Sequence, residues 1–286
     1  CLCLCGRFGQ KPNWPVESYL ATIISVNFFL CFLRFLASLI RPRPGSGRFG
    51  PGSSRFRTCA TLDSTGQKAD KDFVSRRYLG MIRNFRRYGW LLMYLFGASP
   101  AVCSTFLDGR KHSLQKLHKH TLYAPYATSL RMSDLGYQNN AQSGLVICHN
   151  SLESYIDTLS KALTIPVAEY EAIGMQEENG QYKQLNTNLL QIENEYYSSI
   201  RPKRTINSGE RPTLALQRRG VEYIEIRALD LNPFEPVGIN QQEIRFLDLF
   251  ATYCLLRESP RLEHCDLDAS KENLRRVVYD GRNTGV

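Results

Sequence analysis

The sequence predicts an α+β fold for the chain beyond Asp72, and three observations predict it. Apolar residues recur near helical spacing at Tyr78, Ile82, Phe85 and Leu92, and again at Ile244, Leu247, Ala251 and Cys254. Between Gly220 and Asp230 the order is instead strict alternation, with Ile224, Ile226 and Ala228 on one face and Tyr223, Glu225 and Arg227 on the other. Helix-start signals of the Asn-x-x-Glu kind precede two of the periodic segments. The stretch after Asp72 is long enough to bury a substantial core.

The first element is a helix over Phe73–Phe96, ended by Gly97 and Pro100. A connector follows, in which HSLQKLHKH brings His112, His118 and His120 close together. Without a supporting carboxylate or cysteine this reads as a solvated stretch rather than a metal site. The second helix starts at Asn150, where Glu153 completes an N-cap pair, and ends before Pro166. Strands are predicted at 184–193 and 221–229, and the last helix starts at Asn240 with Glu243 as its partner. No internal repeat is evident.

Residues 1–72 differ in character. They open CLCLCG, pass through the apolar stretch 19–40 and continue as RPRPGSGRFGPGSSRFR. The apolar stretch has the roughly 20 residues a membrane helix needs, but Asn27 and Arg34 lie inside it, and a central Arg costs about 2.5 to 3.5 kcal/mol on insertion scales. It lies too far from the first residue for a secretory signal. Three thiols within five residues, with no partner at a standard spacing, make a poor zinc site. Arg, Pro, Ser, Cys and Leu in abruptly changing mixtures read best as translation outside the evolved frame.

Of 36 basic and 27 acidic residues, this segment contributes 10 and 4, so most of the net charge of +9 lies in it. The rest is mildly basic and has no zinc finger, RNP string or regular Lys/Arg stripe, which argues against nucleic-acid binding. Cys103, Cys148, Cys254 and Cys265 are scattered without disulfide-like spacing, as in a reducing compartment.

On the predicted strand, the exposed Glu225 suits a hard divalent cation, and Arg227, two residues on, can meet a phosphoryl or carboxylate oxygen through two parallel hydrogen bonds. An ordinary half-buried strand with an exposed Glu/Arg ladder gives the same pattern. Two other segments concentrate polar and aromatic side chains. Residues 191–204 carry Glu193, Glu195, Tyr196, Tyr197, Arg201, Lys203 and Arg204, and residues 126–137 place Arg131 and Tyr137 six apart. Each alone reads as a solvated loop.

Taken together, RNFRRYGW, YLFGASPAVC, PYATSLRMSDLGY, LQIENEYY, IRPKR, GVEYIEIRALDLNPF and QEIRFLDLF resemble, in order, the bacterial glutamate-cysteine ligase family. The resemblance runs from about Gln67 onward. It implies an antiparallel, saddle-shaped sheet with helices behind it, like the catalytic domain of glutamine synthetase, with residues 73–286 forming part of that domain.

It further implies that ATP phosphorylates the side-chain carboxylate of glutamate and that the amino group of cysteine attacks the acyl phosphate, with Mg2+ as the metal. This is the first step of glutathione synthesis, in the cytoplasm, by an enzyme monomeric in the family and not expected at membranes. By carry-over, Glu225 is a magnesium ligand, Arg227 faces the transferred phosphoryl, and Asn194 lies near the nucleotide. Arg131, Tyr137 and Tyr197 line the cysteine pocket. Arg201, Lys203 and Arg204 are either a phosphate-attracting cluster or a solvated loop.

Residues 1–72 lack the family's acidic run and its Ser-Gly-x-His-Tyr segment, and the family's C-terminal helical portion is absent. The expectation is weak ATP binding, no turnover and exposed apolar surface. The rival readings are a non-catalytic, membrane-associated relic and a ligase using another amine acceptor.

Overall fold

The computed structural model describes residues 70–107, 109–136 and 144–285. The apolar stretch 19–40 and Tyr137 lie outside the described residues. In chain order the helices are α1 (Lys71–Tyr88), α2 (Trp90–Phe96), α3 (Ser104–Leu107), α4 (Leu152–Ala162), α5 (Ala168–Ile173), α6 (Pro212–Arg219), α7 (Gln241–Leu256) and α8 (His264–Asp280). The strands are β1 (Ala101–Cys103), β2 (Gln115–His118), β3 (Thr121–Tyr123), β4 (Ile200–Lys203) and β5 (Tyr223–Ile226). They form two antiparallel sheets, one of order β1-β3-β2 and one pairing β4 with β5.

α1 begins at Asp70, whose carboxylate accepts the Asp72 amide. Its inner face buries Tyr78, Leu79, Met81, Ile82 and Phe85, and Phe85 meets Phe250 of α7 edge-to-face at 5.7 Å. Asn84 crosses the same interface, donating to the carbonyls of Cys254 (2.9 Å) and Arg257 (3.1 Å). The predicted single helix over 73–96 is divided at Gly89, which remains in the right-handed region while the chain turns into α2. A Cβ at Gly89 would stand 2.6 Å from the Phe85 carbonyl oxygen, so the close turn requires glycine.

At α7 the Asn240–Glu243 capping box forms as predicted, at 2.8 and 2.9 Å. At α4 the capping box shifts by one residue, to Ser151 and Ser154. The reason is that the Asn150 amide is used elsewhere. It donates to the Leu262 carbonyl at 3.0 Å and accepts the Leu262 amide at 2.8 Å, tying the entry to α8 against α4.

The strand predicted at 184–193 is not formed. Asn186 accepts the Asn188 amide at 2.9 Å in a local turn, and Asn188 donates to the Leu163 carbonyl at 2.7 Å. These side-chain bonds compete with a ladder, leaving a single bridge from Asn188 to Pro166. The strand predicted at 221–229 is shorter, Tyr223–Ile226: Ile224 is fully buried, Tyr223, Glu225 and Ile226 are half-buried, and Arg227 just beyond the strand is exposed. The histidine-rich connector contains a strand, β2, exposed along its length.

Gly220 sets where β5 begins. Its φ is +72°, and an added Cβ would lie 2.7 Å from the Ser75 hydroxyl oxygen. That hydroxyl donates to the Lys71 carbonyl at 2.7 Å and accepts the Val221 amide at 3.0 Å. Gly220→Ala is therefore expected to destabilise the chain by about 1–3 kcal/mol through left-handed strain and loss of this junction. Denaturant unfolding checks it.

His149 is fully buried against Tyr155, at 5.3 Å between rings. Burial, with the charge of Arg86 adding to it, holds the imidazole well below its ordinary pKa. The folded chain thus keeps His149 neutral where the unfolded chain takes up a proton. Its contribution to stability is complete above the unfolded pKa of about 6.5 and declines as pH falls below it. His149→Phe is expected to flatten the dependence of the thermal midpoint between about pH 6.5 and 5.

Candidate functional site

The β4–β5 ladder sets Arg201 directly opposite Glu225. Arg201 is buried, and its Nε and Nη2 donate to one carboxylate oxygen, Glu225 Oε2, at 3.1 and 2.8 Å. Its Nη1 donates to the Tyr196 carbonyl at 2.9 Å. Lys203 Nζ stands 3.8 Å from the same Glu225 oxygen. Burial first, then the Arg201 charge, lowers the Lys203 pKa, against the opposing pull of Glu225. Of the predicted basic cluster, Arg201 is thus a buried partner of Glu225 rather than a solvated residue. Arg204 is bound to the carbonyls of Arg219 and Gly220, at 2.5 and 3.3 Å.

Beyond β5 the Arg227 amide donates to the Ser199 carbonyl at 2.8 Å, continuing the pairing by one bond. This leaves the exposed Arg227 guanidinium over the ring of Tyr197, 5.0 Å from its centroid. Arg131, in the short 3-10 turn Leu130–Met132, reaches the same place from the other side. Its Nη1 donates to the Tyr197 hydroxyl (3.0 Å) and the Arg227 carbonyl (3.3 Å). Its Nη2 donates to the carbonyls of Ala228 (2.6 Å) and Leu229 (2.7 Å), and its Nε to Asp230 at 2.6 Å.

Arg227, Tyr197 and Arg131 are therefore in mutual contact, and Glu225, bound to Arg201, stands on β5 two residues before Arg227. Asn194 lies on the adjoining 3-10 turn Glu193–Glu195, with an exposed side chain and its carbonyl 3.5 Å from Arg201 Nη1. Glu193 in the same turn is spent on the start of α6, accepting the Thr213 amide and hydroxyl, each at 2.7 Å. Tyr197 also lines a cleft of about 230 Å³, walled by Trp90, Met93, Met132, Ser199 and Lys271.

Sequence reasoning missed Asp230 and the role of Arg201. The register of IRPKR against EYIEIR could have signalled Arg201. Nothing local singled out Asp230, whose partners stand 99 to 132 residues away.

Among the described residues no group of three or more His, Cys, Asp or Glu side chains is placed to hold a metal ion. Glu225 is a lone carboxylate with one oxygen occupied by Arg201, so these residues do not by themselves fit a magnesium centre. No helix among them is long and apolar enough to cross a membrane.

Helices packed on short antiparallel sheets, with guanidinium and phenol groups gathered where β5 ends, make this a mixed α and β protein with donors for anionic oxygens at one strand exit. The chain belongs to the glutamate-cysteine ligase family, whose model matches residues 55–277. It is 70% identical over 220 residues to a glutamate-cysteine ligase of Alcanivorax borkumensis, covering 76% of this chain and 42% of that one. Against that of Pseudomonas entomophila the identity is 56% over 221 residues.

Among solved structures it is similar to a Francisella tularensis glutamate-cysteine ligase in complex with AMP. The TM-score is 0.70 at 41% identity, covering 74% of this chain and 42% of that one. A bifunctional glutathione synthetase from Pasteurella multocida is similar at TM-score 0.52 and 26% identity, covering 74% and 23%. The chain thus spans about two fifths of the length of the curated relatives it matches, each covered to 42% in the first two cases.

Proposed function

We propose that residues 73–286 are part of the catalytic domain of an ATP-dependent glutamate-cysteine ligase and contribute to its larger saddle-shaped sheet. The reaction joins the side-chain carboxylate of glutamate to the amino group of cysteine. The terminal phosphoryl of ATP passes to a glutamate carboxylate oxygen, giving ADP and γ-glutamyl phosphate. The cysteine nitrogen then adds to the acyl carbon, loses a proton, and phosphate leaves. Such an enzyme works in the cytoplasm, as a monomer, on glutamate, cysteine and ATP with Mg2+.

The observation that carries the reading is the convergence of Arg131, Tyr197 and Arg227 at the end of β5. Arg227 is exposed and stacked on Tyr197, so its forked donors are pre-aimed at oxygens that gain negative charge during phosphoryl transfer. Tyr197 offers an apolar wall with a polar tip to a small thiol substrate. Arg131 Nη1 carries the two longest contacts of that guanidinium, 3.0 and 3.3 Å, so a cysteine carboxylate exchanges there most readily. The family resemblance assigns Tyr137 to the cysteine-binding residues and Asn194 to the nucleotide, and Glu225, whose second oxygen is not taken by Arg201, would be one ligand of a magnesium ion held mainly by groups beyond the described residues. The remaining metal ligands are not among the described residues, and no step is derived through the ion. The segment read as aberrant, residues 1–72, is overlapped by the family match, which begins at residue 55.

The test is a chimera in which residues 73–277 replace the matching segment of the Alcanivorax borkumensis relative. It should form γ-glutamylcysteine and ADP in equal amounts. Tyr197→Ala in it should raise the Michaelis constant for cysteine about tenfold with turnover changed less than about threefold. A folded chimera that forms no product, or an unchanged cysteine dependence, contradicts the reading.

A further inference from the structure

The Asp230 carboxylate is withdrawn from solvent, its side chain 3% exposed, yet both oxygens are engaged. Oδ2 accepts the Ala98 amide at 3.0 Å and the Ser99 hydroxyl at 2.7 Å, and Oδ1 accepts Arg131 Nε–H at 2.6 Å. A guanidinium is planar and its donors are fixed relative to one another, so holding Nε fixes the direction of the other four N–H groups. Here those four reach the Tyr197 hydroxyl and the carbonyls of Arg227, Ala228 and Leu229. Rotating Arg131 about its own stem would release all of them together.

Arg227 is held at two points of this arrangement. Its carbonyl accepts from Arg131, and its guanidinium lies on the ring whose hydroxyl accepts from Arg131. We infer that Asp230 is a positioning residue: anchored to Ala98 and Ser99, it orients Arg131, which in turn fixes the backbone and stacking partner that aim Arg227. Asp230 touches none of the proposed substrates and acts only through Arg131. The inference deepens the ligase reading and rests on it for the importance of Arg227, but the geometry is testable without turnover.

The experiment uses the whole chain with 15N-labelled arginine. Arg131 and Arg227 Nε–H signals are assigned by Arg131→Lys and Arg227→Lys. Asp230→Asn keeps the size and one acceptor oxygen but removes the charge. It is expected to speed hydrogen exchange at Arg131 Nε–H by about tenfold or more, the size carried by a charge-assisted hydrogen bond. It should also shrink the ring-current shift that Tyr197 imposes on Arg227, with the far-ultraviolet spectrum unchanged.

Arg131 exchange and Arg227 shift both equal to wild type would overturn the proposal, as would loss of Arg131 protection without any movement of Arg227. Ser99→Ala, which removes one donor to Asp230 and leaves the charge, carries the test if Asp230→Asn does not fold. It should raise Arg131 exchange by about threefold and displace Arg227 in the same direction, and no change at either signal overturns the proposal. In the chimera Asp230→Asn should lower turnover by about tenfold with a smaller change in the cysteine Michaelis constant. If Arg227 moves and turnover does not, Arg227 leaves the chemistry and the ligase reading fails, while the positioning role of Asp230 stands.

Discussion

Arg131→Ala should destabilise the chain by about 3–5 kcal/mol, the range for removing one partner of a buried ion pair. Asp230 would keep its charge inside the protein, 3% exposed, with only the Ala98 amide and the Ser99 hydroxyl left to it. The carbonyls of Ala228 and Leu229, bonded at 2.6 and 2.7 Å, would lose their donor as well. Arg131→Lys retains a charge but not the fork, and should recover less than half of the loss. Denaturant unfolding with a common slope for the three proteins measures this directly. A loss below about 1 kcal/mol for Arg131→Ala would mean that the segment leaving β5 holds itself in place.

Arg227→Ala should do the opposite. The side chain is exposed and rests on the face of Tyr197, so stability should change by no more than about 1 kcal/mol. In the active chimera, however, turnover should fall by about a hundredfold to a thousandfold, as when a preorganised donor to developing charge is removed, and the cysteine Michaelis constant should move far less. Steady-state kinetics with ATP saturating separates the two parameters. Equal turnover would remove Arg227 from the chemistry.

The contrast between these two arginines marks what could be read from sequence. The alternation of GVEYIEIRALD is local, and it placed Glu225 and Arg227 on the open face and Ile224 and Ala228 inside, as observed. The Asn240–Glu243 cap is equally local and forms. The Arg131 hub depends on partners 66 to 99 residues away, which no periodicity encodes. Arg201 failed for the same reason: beside Lys203 and Arg204 it looks solvated, and only the pairing of β4 with β5 makes it the buried partner of Glu225.

Errors of position came from polar side chains with more than one use. Asn150 resembles an N-cap but is taken by Leu262, and Asn186 and Asn188 turn a predicted strand into a side-chain-bonded loop. Identifying the family required many strings in register, because none of the three polar segments was distinctive alone.

Positional isotope exchange in γ-phosphate-labelled ATP, measured in the chimera with glutamate present and cysteine omitted, tests the central claim most directly. If the surface built by Arg131, Tyr197 and Arg227 serves phosphoryl transfer to glutamate, bridging and non-bridging oxygens should scramble only when glutamate is added. Arg227→Ala should suppress that scrambling in parallel with turnover. Product formation without glutamate-dependent exchange, or exchange that survives loss of Arg227, would contradict the account.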